Sequence, residues 1–179
     1  MPELEVKVLS VEPEALRERL KQLGAALMAR EKQVNYLYDY PDGRLKSQGG
    51  YVRLRRVKDL LGERVYYLLT WKRMISQQGC KEMEELETEV EDREVMDGIL
   101  RRLGLEQRRC DEKYRESYAL GEIKYELDIW AEEVYPHPYL EVEGPDQKSI
   151  EEALELIGYT ISEATTRTIA QLREELLRD

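Results

Sequence analysis

The stretch that decides the fold is ELEVK, residues 3–7, where Glu3, Glu5 and Lys7 alternate with Leu4, Val6 and Val8. Successive side chains of a β-strand face opposite ways, so the three charges share one face and the aliphatic groups share the other. The pattern returns along the chain. VRLRR (52–56) puts Arg53 and Arg55 on one face, and YYLLTWKR (66–73) carries Lys72. MEELETEVE (83–91) aligns Glu85, Glu87 and Glu89, and DEKYRES (111–117) aligns Lys113 and Arg115. IKYELDIW (123–130) aligns Glu126 and Asp128, and YLEVEG (139–144) aligns Glu141 and Glu143. Such strands can form an open sheet with its charged side in water, or close into a barrel with that side facing a lumen. Arginines gathered on one strand and carboxylates on others favour closure, because surface strands mix signs more freely. Buried charges must then be compensated, since each unpaired ion costs several kcal/mol.

The surrounding pattern predicts strands at about 3–9, 25–40, 50–57, 64–73, 82–91, 106–119, 122–131 and 138–144. YPDGRLKSQGG (40–50), KDLLGER (58–64) and ALGE (119–122) read as connections, and QQGCK (77–81) as a loose loop. Helices are expected from Ser10 and Pro13 to Gly24, over 91–104, over 146–159, and over 162–178. Trp71, directly before Lys72, is expected to point away from the lumen. KQLGA and RRLGL, each set between a helix and a strand, suggest two similar halves. The fold class expected is α+β: a closed eight-stranded antiparallel barrel with flanking helices, one domain over 1–179.

Composition narrows the function. The 179 residues carry a formal net charge of −10, which argues against binding a nucleic acid polymer. No apolar run is long enough to span a membrane, and no basic-then-apolar leader precedes the first strand, so a cytoplasmic protein is expected. The two cysteines, Cys80 and Cys110, suit a reducing compartment and offer no metal cluster. His137 is the single histidine, set between prolines in a turn, so a metal here would be held by carboxylates. Oxygen ligands point to Mg²⁺ or Mn²⁺. A lumen with guanidinium groups on one wall and metal-binding carboxylates on another suits a linear triphosphate, and no GxxxxGK[ST] loop offers another route.

In this order, ELEVK, VRLRR, LTWK (69–72), ELD (126–128) and EVE (141–143) resemble the CYTH domain, that is, the triphosphate tunnel metalloenzyme superfamily, over nearly the whole chain. That family includes class IV adenylate cyclases, thiamine triphosphatases and inorganic tripolyphosphatases. The resemblance implies metal ligation by Glu3, Glu5, Glu141 and Glu143, with Asp128 supporting the centre. It implies triphosphate binding by Lys7, Arg53, Arg55, Lys72, Lys113, Arg115 and Arg167, of which Lys7 and Arg115 are the candidates for a catalytic role. Glu85 and Glu87 would be wall partners of the arginines. EATTRTIAQ (163–171) replaces the family's lysine or serine–tyrosine pair. Only Met1 and Pro2 precede Glu3, where well-described cyclases carry a histidine–phenylalanine pair. A metal-dependent triphosphatase is therefore the leading expectation and adenylate cyclase the alternative. The expected partner is a small triphosphate substrate, and a homodimer is compatible with the pattern.

Overall fold

A computed structural model describes residues 3–178, with Glu3 described by its backbone alone. The strands are β1 (Glu3–Leu9), β2 (Ala26–Asp39), β3 (Gly50–Asp59), β4 (Val65–Ser76), β5 (Lys81–Val90), β6 (Glu106–Leu120), β7 (Ile123–Trp130), β8 (Tyr139–Gly144) and β9 (Ala164–Thr165). The helices are α1 (Pro13–Gln22), α2 (Arg44–Ser47), α3 (Arg93–Arg102), α4 (Gln147–Leu156) and α5 (Ile169–Leu176). Neighbours run β5-β4-β3-β2-β6-β7-β8-β1, and β1 pairs back to β5, so the first eight strands close an antiparallel barrel. The closing seam is short: Glu3, Leu4 and Glu5 pair with Met83, Glu82 and Lys81. Beyond it the same edge of β1 takes β9, through Lys7↔Thr165 and Val8↔Ala164.

Alternation does what the sequence requires. The aliphatic side of β1, β7 and β8 (Val6, Val8, Leu127, Leu140, Val142) meets Leu16 and Leu20 of α1 and Ile150, Ala153 and Leu154 of α4 outside the barrel. Leu54 of β3 and Tyr38 of β2 pack on Leu100 of α3. Asp92 caps α3 by accepting from the backbone N–H of Glu94 and Val95. Gly24 and Gly104 follow α1 and α3 with φ of +75° and +90°, a left-handed conformation that only glycine adopts without strain.

Three expectations need correction. The segment 162–178 is not one helix: a 3₁₀ turn (Ile161–Glu163) and β9 come first, and α5 begins only after the Thr168 cap. Three threonines in four residues, Thr165, Thr166 and Thr168, favour extended and capping conformations there. The connection at 40–50 contains α2, nucleated by Asp39, whose carboxylate accepts from the backbone N–H of Tyr40, Leu45 and Lys46. QQGCK is tied down: the Gln77 amide donates to the Thr166 carbonyl (3.0 Å), and Cys80 is buried.

Candidate active site

The residues that alternate with the aliphatic face converge inside the barrel. Glu5, Lys7, Arg55, Lys113, Arg115, Glu126, Asp128 and Glu141 are all buried although each can carry charge. They are arranged in two parts.

The first is acidic, on β1 and β8. One carboxylate oxygen from each of Glu5, Glu141 and Glu143 lies within 4.8 Å of the others. Neighbouring ammonium groups balance them. Lys7 Nζ lies 2.8 Å from Glu5 and 2.9 Å from Glu141, Lys81 Nζ lies 2.6 Å from Glu5, and Lys124 Nζ lies 3.3 Å from Glu143. Burial opposes ionisation of Glu5, but Lys7 and Lys81 outweigh it and hold the carboxyl at about 2. Burial works against the charge of Glu141 too, and Lys7 and Arg115 keep its carboxyl well below the ordinary range. Glu5 and Glu141 are therefore ionised at neutral pH. Three converging carboxylate oxygens are a donor set that fits a hard divalent cation such as Mg²⁺ or Mn²⁺.

The second part is basic. Arg115 on β6 forks onto Asp128 of β7, with Nε to Oδ1 at 2.5 Å and Nη2 to Oδ2 at 2.6 Å. Nη2 also reaches Glu141 at 2.7 Å, linking the two parts. Lys113 Nζ donates to Asp128 at 2.7 Å and sits 5.1 Å from the Trp130 ring centroid. Arg55 differs. Its Nε donates to Asn35 Oδ1 at 2.8 Å, and among the described residues no carboxylate reaches ion-pair distance. Burial, then the like charges of Arg53 and Arg115, push the Arg55 guanidinium down to about 9. Burial and Arg115 likewise lower Lys113 despite Asp128 beside it. The interior thus holds cations that repel one another, which an incoming anion would relieve.

The remaining expected residues are partly open. Arg53 Nη2 donates to Thr70 at 3.2 Å and lies 3.6 Å from Glu87, and Lys72 is paired with Glu85. Arg167 is not brought into this group: half-exposed, it binds Thr165 and Glu175 on the outside. The Glu3 side chain lies outside the described residues.

Sequence reasoning missed three lumen groups. Lys81 shares a face with Glu85 and Glu87, but Met83 interrupts the charge repeat. Gln33 and Asn35, only 2% exposed each, alternate on β2 without charge. A search for polar rather than charged residues at spacing two would have found them.

Comparison with known proteins agrees with this architecture. Two proteins from Pyrococcus horikoshii OT3 share the fold. One is 20% identical with a TM-score of 0.81, covering 97% of this chain and 99% of its own. The other is 23% identical with a TM-score of 0.78, covering 94% and 98%. A Hippeastrum protein, first proposed as an adenylyl cyclase and found to have a dominant triphosphatase activity, is 19% identical with a TM-score of 0.71, covering 97% and 96%. No curated protein matches the sequence. The CYTH domain family model matches residues 1–169, and the chain belongs to that family.

Proposed function

We propose that the protein is a metal-dependent hydrolase of a triphosphate compound, which it binds inside the barrel. The observation that carries this reading is Arg55, a buried cation with no carboxylate partner among the described residues, in a cluster of like charge across the lumen from the converging carboxylates of Glu5, Glu141 and Glu143. A polyanion together with a divalent cation satisfies both walls at once. The dominant triphosphatase activity of the Hippeastrum protein is consistent with it.

Glu5, Glu141 and Glu143 would hold the Mg²⁺ or Mn²⁺, with Glu3 adjoining them in sequence and Asp128 behind Arg115. When bound, the metal supplies positive charge against the phosphate oxygens. Arg53, Arg55, Lys72 and Lys113 would hold the phosphate chain extended, the guanidinium forks each spanning two oxygens. Lys7 and Arg115, both bonded to Glu141, stand at the junction of the walls, where they can stabilise charge on the departing phosphoryl group. Positioning and electrostatics of this kind supply most of the catalysis in phosphoryl transfer.

The test is release of phosphate from tripolyphosphate, thiamine triphosphate and nucleoside triphosphates with Mg²⁺ or Mn²⁺. Glu5→Gln is expected to lower kcat/KM by about 10²-fold or more and to weaken Mn²⁺ binding measured directly. Unchanged turnover and Mn²⁺ affinity would refute the ligand assignment. Cyclic AMP and pyrophosphate as the products from ATP would replace the hydrolase with a cyclase.

A further inference from the structure

Gln33 is a lumen group that this reading does not use. Gln33 lies on β2, four strands from β1 in the ring of eight and so on the wall opposite the carboxylate trio. Its side-chain amide Nε2 donates to Glu31 Oε2 at 2.5 Å. The other Glu31 oxygen accepts the Tyr66 hydroxyl at 3.0 Å. A carboxylate only accepts, so Glu31 fixes the amide with its NH₂ group turned toward it. Among the described residues, Gln33 Oε1 is thereby left buried with no hydrogen-bond partner. Register places Gln33 beside Lys113 of β6, and Asn35, the next residue on the same face, is committed to Arg55. An unmet carbonyl in such a place is unfavourable by about 1–3 kcal/mol. A hydrogen-bond donor satisfies it, from water or from a bound ligand.

Phosphate oxygens cannot meet it. Fully ionised tripolyphosphate presents acceptors alone, which suit Arg55 and Lys113 but do nothing for a carbonyl. We propose that Gln33 Oε1 accepts a hydrogen bond from a hydroxyl or amino group on an organic moiety esterified to the triphosphate. Gln33 is then a specificity-determining residue, and the preferred substrate is an organic triphosphate rich in donors rather than inorganic tripolyphosphate. This rests on the triphosphatase reading above and adds the class of its substrate.

The experiment measures kcat and KM of the wild-type protein, with Mg²⁺ or Mn²⁺, on tripolyphosphate, ATP, 2′-deoxy-ATP, 3′-deoxy-ATP and inosine triphosphate. The same series is run on Gln33→Met, after thermal unfolding has verified its fold. ATP is expected to be preferred over tripolyphosphate, and removing the contacted donor should lower wild-type kcat/KM about 10-fold, mainly through KM. The deoxy analogues identify a hydroxyl as that donor, and inosine triphosphate identifies an amino group. Gln33→Met should lower the ATP value by a similar factor, lose nothing further with that analogue, and change tripolyphosphate less than 2-fold. Equal wild-type values for all the nucleotides, or equal losses on ATP and tripolyphosphate in the variant, would overturn the role of Gln33 alone. Failure to bind or hydrolyse any triphosphate would overturn the underlying reading, and this inference with it.

Discussion

Replacing Arg55 with methionine should make the protein more stable and less able to bind its ligand. Burial and neighbouring cations lower the Arg55 pKa to about 9. At about 1.4 kcal/mol per pKa unit, the fall from the ordinary 12.5 makes holding that charge unfavourable by roughly 5 kcal/mol. Methionine keeps much of the side-chain volume and removes the charge. Against the gain stands the lost bond from Nε to Asn35 Oδ1, which leaves that oxygen to find another donor at about 1–3 kcal/mol. The balance is a net stabilisation of about 2–4 kcal/mol, which corresponds to roughly 4–16 °C in Tm for a domain of this size. Tripolyphosphate with Mg²⁺ at 100 times Kd should stabilise the wild type by about 2.7 kcal/mol and the variant far less at the same concentration. Differential scanning calorimetry of both proteins, each with and without ligand, reads all four values. A variant that melts lower than the wild type and still gains as much from the ligand would refute the reasoning, because Arg55 would then be an ordinary stabilising residue.

Other outcomes follow from the same contacts. Glu116, buried on the outer face of β6, accepts from Arg17 (3.0 Å) and from the Tyr118 hydroxyl (2.7 Å). Burial raises its pKa, but these hydrogen bonds outweigh that and hold the carboxyl below its ordinary value. Its stabilisation is therefore present above the unfolded-state pKa and lost as pH falls through the folded one. Glu116→Gln should flatten the decline of Tm between about pH 5 and pH 3 relative to wild type, and an identical decline would count against this role. Asp39→Ala removes the acceptor for three backbone N–H groups and should lower stability by about 1–3 kcal/mol, with faster amide exchange at Leu45 and Lys46. Leu140→Ala, at a position with no exposure, should cost about 2–5 kcal/mol in denaturant unfolding.

The barrel was legible because alternation at spacing two is a strong physical signal, and because carboxylates and arginines segregate by strand. Register then placed Lys7 opposite Glu141, a balanced pair, and Glu5 opposite Glu143, a like-charged pair that brings two carboxylates of the trio together. Less legible were groups whose importance depends on what is missing around them. Nothing in VRLRR says that Arg55 has no counter-ion among the described residues while Arg53 has Glu87 nearby. Gln33 carries no charge, so the pattern that found its neighbours passed over it. The C-terminal segment misled for a different reason: its leucines have helical spacing, but threonines upstream of α5 delay the helix and leave room for β9. Arg167 was expected in the lumen because it falls where the resembled family carries its C-terminal lysine or serine–tyrosine pair, and it lies instead outside with Glu175.

The barrel closes through partners far apart along the chain. β1 precedes the other barrel strands along the chain, yet it pairs with β8, with only three residue pairs to β5 and a final short contact to β9. During synthesis it must wait, unpaired, until residues beyond 140 have emerged. Its alternating charges then serve a second purpose, since a strand bearing carboxylates and an ammonium on one face is a poor template for premature pairing or aggregation. The charged side chains that line the finished lumen also disfavour stray strand pairing until the last neighbours of β1 arrive.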